Sequence, residues 1–380
     1  MWLDSLAPLS TGASGTAGDD ALPPAAFRSL ALRAVRIAGA DVPVREDVAA
    51  TLPFAVLRRF TRGDGPRRVL VVAPLAGGFP ALMRDLVVAL LGIADTVALT
   101  DWADARHVPL ARGAFGLADN CLQTAQMIRA LGPDVHVVSV CQGVIPALAA
   151  SALLAEEGLA PRSLSLIGGP VDTACRPTRL DRLLTSKPLA DLAAETMEPV
   201  LPPFAGAGRQ VFPHRRQMQA FGLYLWRQSL FGGELPRKLM LDDGSDPFRF
   251  PLARLCWDMM DIPAEFFLEN VARVFQERAL PNGTLTVSGH AVRPDRLTDC
   301  ALLTVEGEDD DISAPGQTEA AHALCPNIPP ALHQSVLVPR AGHFSLFYGT
   351  RMRRHVLPAL EDIFRRAEAL PRQETPEATE

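Results

Sequence analysis

Short apolar runs alternate with helical stretches along most of the chain. Six runs have the length of a strand, and they cover residues 69–73, 97–99, 135–140, 164–167, 301–305 and 335–338. Most are continuous rather than alternating, which is typical of parallel strands buried on both faces. Helical segments separate several of them. The pattern therefore predicts an α/β fold with a doubly wound, mostly parallel sheet.

The strand pattern is interrupted between residues 177 and 293, which predicts an inserted helical cap. The aromatic residues of this stretch are Phe204, Phe221, Tyr224, Trp226, Phe231, Phe248, Trp257, Phe266, Phe267 and Phe275. The chain is predicted to begin with a partly flexible N-terminal segment, residues 1–60, which includes a Ser/Gly/Pro-rich leader at 9–26. The core is predicted to consist of residues 61–176 and 294–370, with a closing helix at 350–368. The cap covers residues 177–293, and residues 371–380 form a polar tail.

Composition excludes several classes of protein. With 48% hydrophobic and 21% charged residues the chain can bury a large core, so it is not a disordered protein. The net charge of -6 gives no general attraction to nucleic acid or to an anionic membrane. The six cysteines are scattered without a C-x-x-C pair, so neither a disulfide framework nor a metal site is expected. Without a secretory signal or a membrane-spanning run, we expect a cytoplasmic protein.

The strand 135–140 leads directly into Cys141, which precedes an Ala/Leu-rich helix. Ser139 and Gly143 supply the small residues that a tight strand–turn–helix requires, so the segment has the pattern of a nucleophile elbow with sulfur in place of a hydroxyl. The amides at the start of the helix favour a thiolate. Cys141 is thus a candidate nucleophile, and the alternative is a small buried hydrophobic residue.

Candidate partners for Cys141 follow two later strands. Asp309, Asp310 and Asp311 come after the strand 301–305, and His343 comes after the strand 335–338. Nucleophile, acid and histidine in this order are typical of the α/β-hydrolase fold. The histidine would exchange a proton with sulfur, and one aspartate would orient it. Spacing alone leaves the choice of aspartate open. His343 as a structural loop residue and the acidic run as a solvated loop or helix cap are the alternatives.

The remaining site predictions concern the oxyanion and the substrate. An oxyanion hole needs two N–H donors. We expect one from Gln142 and the other from the stretch Leu75-Ala76-Gly77, after the first strand. Trp102, Gly143 and Phe344 are candidate substrate contacts. Asp101-Trp102 has a structural ion pair beside a buried indole as its alternative, and the cap aromatics would form a binding face only if several are exposed.

From about Val69 to the closing helix, the chain resembles the intracellular polyhydroxyalkanoate (poly-3-hydroxybutyrate) depolymerases. The resemblance rests on Ala73-Pro74-Leu75, Thr100 to Arg106 with Val108-Pro109, Ser139-Val140-Cys141-Gln142, Gly168 to Asp172, Val305 to Glu308, Asp310-Asp311-Ile312-Ser313 and Gly342-His343. It implies a Cys-Asp-His triad on Cys141, Asp310 and His343, with Asp309 and Asp311 as the other acids. The family usually has proline after Cys-Gln, where this chain has Gly143, and residues 1–60 show little resemblance.

The resemblance also implies an activity. The expected enzyme is an esterase that forms an acyl-enzyme on stored polyester and releases 3-hydroxyalkanoate monomers or oligomers. No cofactor is implied, although coenzyme A is an alternative acceptor to water. The expected partner is the polyhydroxyalkanoate polymer or granule surface, and a homo-oligomer is compatible with the sequence.

Three rival functions are considered. Polyhydroxyalkanoate synthases are similar in the cysteine turn, the Asp-Trp stretch and the triad, but they typically carry histidine where this chain has Asp311. A granule-binding protein without turnover would be expected to lose a triad member, and none is missing. The third rival is a thiol esterase for small soluble esters.

Overall fold

The computed structural model describes residues 30–76, 83–132, 134–230 and 259–370, together with Leu22 and Phe27. Its central feature is an eight-stranded sheet. The strands of the chain are β1 (Ala34–Ile37), β2 (Ala40–Pro43), β3 (Arg45–Thr51), β4 (Ala55–Thr61), β5 (Arg68–Val72), β6 (Thr96–Trp102), β7 (Val135–Val140), β8 (Ser163–Ile167), β9 (Glu198–Pro199), β10 (Gln210–Phe212), β11 (Ile262–Pro263), β12 (Thr286–Val287), β13 (His290–Ala291), β14 (Ala301–Gly307) and β15 (His333–Val338).

The order in the main sheet is β15-β14-β8-β7-β5-β6-β4-β3. The pairs from β15 to β6 are parallel, and β4 pairs antiparallel with both β6 and β3. All six predicted runs coincide with strands of this sheet, except that Ala73 lies just past the end of β5, and every residue of β7 and β8 is buried. Because β7 lies near the middle of the sheet, Cys141 follows a strand that is held on both sides. The predicted α/β fold with a mostly parallel sheet is confirmed.

Helices connect the strands and cover the sheet. They are α1 (Arg84–Leu90), α2 (Leu117–Leu131), α3 (Val144–Ala155), α4 (Arg179–Thr185), α5 (Leu189–Thr196), α6 (His214–Leu230), α7 (Ala264–Asn270), α8 (Ala321–Leu324) and α9 (Leu357–Glu368). Residues 144–154 of α3 are all buried, which explains why this helix is apolar on every side. The closing helix consists of Gly349–Arg351, a π-helical turn Met352–Val356, and α9.

The sheet begins earlier than the core boundary predicted at residue 61. Strand β3 and all but the last residue of β4 lie inside the predicted N-terminal segment 1–60, although both strands belong to the main sheet. These strands do not form continuous apolar runs because they contain paired charged residues. Arg58 donates to Asp101 at 2.5 Å and to Glu46 at 2.7 Å, and Arg59 donates to Asp47 at 2.8 Å. Most of the predicted leader 9–26 lies outside the described residues.

The predicted cap contains strands as well as helices. Helices α4 to α7 lie between β8 and β14, and β9, β10 and β11 form a small antiparallel sheet among them. These strands have only two or three residues, too few to leave a sequence pattern. Phe231, Phe248, Trp257 and the tail 371–380 lie outside the described residues. The division into core and cap stays a prediction.

His136 in β7 makes stability depend on pH. It is 1% exposed, and its Nδ1 lies 2.8 Å from Ser163 Oγ. Burial lowers the pKa of His136 to about 4, against the smaller opposing effect of Glu368. Because His136 in the unfolded chain binds a proton near pH 6.5, its contribution to stability is complete above that pH and is lost as pH falls toward 4.

Between pH 7.5 and 5, wild type should lose about 2 kcal/mol more unfolding free energy than His136→Asn in urea titrations. Equal losses would contradict this assignment.

Candidate active site

Cys141 lies in a strained turn between β7 and α3. Its φ is +54°, in the left-handed region that residues other than glycine rarely adopt. The turn Cys141–Gly143 ends β7 and leads directly into α3, so the chain reverses within three residues. Val140 and Gly143 are buried while Cys141 is partly exposed. This is the geometry predicted for the elbow, and the strain is consistent with a functional position.

Gly143 is required by packing beneath the turn. A Cβ atom at this position would lie 2.7 Å from the Val72 carbonyl oxygen and 3.3 Å from that of Ala73. Gly143 is also buried. Gly143 was predicted to contact the substrate, but it has no exposed surface through which it could do so. The absence of a side chain lets the elbow approach the end of β5.

Asp310 is the member of the acidic run that lies against His343. Asp309 is exposed, and Asp311 accepts a hydrogen bond from Tyr224 Oη at 2.9 Å. Asp310 accepts from His343 Nδ1 at 2.8 Å through Oδ2, and its Oδ1 accepts from the amides of Ile312 and Ser313, both at 2.9 Å. The carboxylate is thus fully enclosed by donors. The geometry favours Asp310 among the three predicted acids.

His343 lies between Asp310 and Cys141. The residue is buried, and burial alone would lower its pKa, but the charge of Asp310 and then that of Cys141 raise the pKa of His343 well above its ordinary value. With Nδ1 engaged by Asp310, Nε2 is the nitrogen left for Cys141. Nε2 is buried and makes no hydrogen bond within the described residues. It is therefore placed to receive or return a proton.

Gly168, directly after β8, packs against Leu346 and the Asp310–His343 pair. A Cβ atom there would make a tight contact of 3.0 Å with Leu346 Cδ1 and lie 3.4 Å from His343 Cε1, and its φ of +55° also favours glycine. The loop that carries Asp310 is held from below by buried Glu306, which accepts from the amides of Gly316, Thr318 and Glu319 at 2.7 to 2.9 Å. The sequence alone predicted no role for Gly168 or Glu306, although both lie in motifs that carry the resemblance.

The predicted oxyanion residues Gln142 and Ala76 are joined by a hydrogen bond. Ala76 N–H donates to Oε1 of Gln142 at 2.9 Å. The predicted Ala76 donor is therefore already engaged by a neighbouring side chain. Leu75 is buried beside it, and Gly77 lies outside the described residues. Of the predicted pair in this loop, Leu75 remains the candidate donor.

Trp102 does not face a substrate in this structure. It is 1% exposed, and its indole Nε1–H donates to the Ala73 carbonyl at 2.9 Å. Its ring lies 5.9 Å from that of Phe115. Neighbouring Asp101 forms the structural ion pair with Arg58, and burial raises the pKa of Asp101 to about 6 despite the arginine charge. The structural interpretation of Asp101-Trp102 is the one the contacts favour.

Aromatic residues connect the cap to the histidine loop. The ring of Phe344 lies 5.6 Å from that of His343, and Phe221 and Tyr224 of α6 lie 5.9 Å and 6.3 Å from Phe344. Phe347, which sequence analysis missed, lies 5.7 Å from His343. The sequence did contain a signal for this contact. Phe221 and Tyr224 are three residues apart, as are Phe344 and Phe347, and this spacing places two rings on one side of a helical turn. Helix α6 therefore packs against Phe344, the residue that follows His343.

In the described parts of the chain, no group of three or more histidine, cysteine, aspartate or glutamate side chains is arranged to hold a metal ion. Among the described residues, none of the helices combines the length and apolar character needed to cross a membrane.

Comparisons with known proteins identify the family and the fold. A family model described as PHB de-polymerase C-terminus matches residues 168–368, which include Asp310 and His343. The fold is similar to that of a candidate non-heme bromoperoxidase from Mycobacterium tuberculosis (TM-score 0.50, 16% identity, 82% of this chain and 97% of that chain). It is also similar to an α/β hydrolase from Penicillium (TM-score 0.50, 12% identity, 86% and 100%). The search of curated proteins found no match. The α/β-hydrolase fold is thus shown.

Proposed function

Because the chain belongs to the PHB depolymerase family, we propose that it cleaves the ester bonds of poly(3-hydroxybutyrate) or a related polyhydroxyalkanoate with Cys141, Asp310 and His343 as its triad. The observation that carries the proposal is the enclosed hydrogen bond of 2.8 Å between Asp310 and His343, next to a cysteine in a strained turn. A nucleophile, a base and an orienting acid in contact are the parts that acyl transfer requires.

The proposed reaction proceeds through an acyl-enzyme. The thiolate of Cys141 attacks an ester carbonyl carbon, and the oxyanion that forms is held by backbone N–H donors, one of them from Gln142. Collapse breaks the C–O bond, and the imidazolium of His343 gives its Nε2 proton to the leaving alkoxide, which departs as a hydroxyl chain end. Water then gives a proton to Nε2 and attacks the thioester, which releases the acid and restores the cysteine.

Native amorphous granules test the proposal. With purified protein they should lose mass and release 3-hydroxybutyrate or short oligomers. Added coenzyme A identifies the acceptor, since thiolysis would release hydroxyacyl-coenzyme A instead of the free acid. In a separate incubation with hydroxybutyryl-coenzyme A, polymer growth with release of free coenzyme A would favour the synthase and contradict the proposal. Turnover of short nitrophenyl esters without attack on granules would favour a small-ester thiol esterase.

We further propose that α6 rests on the granule. Leu223, Trp226 and Leu230 are 66%, 62% and 60% exposed. Spacings of three and four residues place them on one face of the helix, while Phe221 and Tyr224 contact Phe344 from the same helix. An apolar face on the helix that packs against the residue after His343 suits a neutral polyester surface. A cytoplasmic, granule-associated location would follow from this contact.

Removing this face should impair attack on granules selectively. For Leu223→Ser combined with Trp226→Ser, we expect granule degradation to slow at least about 100-fold, since fully burying side chains of this size contributes about 1.5–3 kcal/mol each. Hydrolysis of a soluble nitrophenyl ester should stay within about twofold. Leu337→Ser is the matched control because Leu337 is 54% exposed on the edge strand β15. Equal losses on granules and on the soluble ester would contradict the contact.

A further inference from the structure

The loop that follows β5 is fixed at its first residue by the neighbouring strand β6. Ala73 N–H donates to Thr100 Oγ1 at 2.9 Å, and the Ala73 carbonyl accepts from Trp102 Nε1–H at 2.9 Å. Thr100 and Trp102 are both buried, so neither bond competes with bulk water. Both polar groups of Ala73 are thus satisfied by side chains at the end of one strand.

The other end of this loop is fixed by the residue that follows the nucleophile. Oε1 of Gln142 accepts from Ala76 N–H at 2.9 Å. Gln142 belongs to the turn Cys141–Gly143, so this bond joins the elbow to the loop. The loop segment Ala73–Ala76 is therefore held at both ends, once from β6 and once from the elbow.

We propose that the side chain of Gln142 is a positioning residue for the oxyanion hole: it fastens Ala76 so that the N–H of Leu75, and not that of Ala76, becomes the second donor beside the backbone N–H of Gln142. Trp102 and Thr100 fasten the opposite end of the same loop. The inference rests on the proposed acyl transfer at Cys141. It assigns Gln142 two separate contributions, one from its backbone and one from its side chain.

An oxyanion hole works only if its N–H donors are held in the right positions. Oxyanion donors stabilise the transition state because they are aimed before the charge develops, and a displacement of about 1 Å can lower the rate about 100-fold. Every substitution at position 142 other than proline keeps the backbone N–H. The contribution of the side chain can therefore be measured without removing the first donor.

The test compares wild type with Gln142→Met, which keeps the length of the side chain but removes the acceptor. With a soluble nitrophenyl ester we expect the acylation rate constant to fall about 10- to 100-fold. KM should stay within about twofold, and alkylation of Cys141 by iodoacetamide, which needs no oxyanion hole, should be unchanged. If Ala76 were the second donor, releasing it from Gln142 would leave acylation unchanged or faster, and that result would overturn the inference.

Gln123→Met is the matched control, because Oε1 of Gln123 on helix α2 also accepts a backbone N–H, that of Phe54 before β4, at 3.3 Å. Its acylation rate constant should match wild type. An equal loss in this variant would show that Gln142 contributes only to general stability, against the proposal.

Amide hydrogen exchange tests the loop without turnover. Ala76 N–H should be protected in wild type, lose protection in Gln142→Met and regain it in Gln142→Glu, which keeps an acceptor oxygen. Unchanged protection in Gln142→Met would overturn the inference. Failure of wild type to degrade polymer would overturn the proposed function alone, because the exchange result and the soluble-ester result do not depend on the polymer.

Discussion

Replacing Cys141 by alanine should lower the rate of polyester cleavage by about 10⁴-fold or more, to the level that substrate binding and the oxyanion hole supply alone. The thiolate forms the thioester bond of the acyl-enzyme, and every later step depends on that bond. In the proposed triad, Cys141 is the nucleophile that His343 serves. The loss should be equal on native granules and on a soluble nitrophenyl ester. Granule turbidity and nitrophenol release measure the two rates.

Cys175→Ala is the control for this prediction. Cys175 is also a free, partly exposed thiol, but it lies beside Asp172 and Arg278 rather than His343. Its removal should leave both rates within about twofold of wild type. A Cys141→Ala protein that still degrades granules would rule out the triad.

Changing Asp310 to asparagine should lower kcat by about 10³-fold or more. Because Oδ1 of Asp310 accepts the amides of Ile312 and Ser313, an asparagine must keep its carbonyl oxygen there and present its NH₂ group to His343. That group donates to Nδ1 and fixes the ring proton on Nε2. Nε2 then cannot take the proton of Cys141. The pH profile of kcat, measured on the soluble ester, should lose its histidine-dependent limb.

Asp309→Asn and Asp311→Asn are the matched controls, since each removes the same charge within one residue of Asp310. Both should stay within about threefold of wild type, because Asp309 is exposed and an asparagine at 311 still accepts from Tyr224. If Asp311→Asn were the strongly impaired variant, the acid would be wrongly chosen.

Strand positions were predictable wherever strands are buried on both faces. Continuous apolar runs identified β5, β7, β8 and β14 because no solvent-facing side interrupts them. Strands β3 and β4 were missed because they carry charged residues whose partners lie on other strands, such as the pairing of Arg58 with Asp101. That pairing depends on antiparallel register, which apolar periodicity does not contain. Strands of two or three residues in the cap leave no pattern at all.

Some features of the candidate site were also predictable from the sequence, and others were not. Cys141, Asp310 and His343 follow strands whose carboxyl ends meet, so residue type and order were enough to bring them together. The burial of Trp102 and Gly143 and the engagement of the Ala76 N–H could not be predicted, because the direction of a side chain or amide depends on neighbours from other strands. The contact of Gln142 Oε1 with Ala76 joins residues 66 positions apart. Only the folded chain shows it.

The most direct test of the central claim is mass spectrometry of protein mixed with polymer or oligomer and quenched in acid before the steady state. We predict a 3-hydroxybutyryl group bound as a thioester on the peptide that carries Cys141, at high occupancy early in the reaction and absent from Cys141→Ala. An acyl group on any other side chain of a polymer-degrading protein would contradict the account.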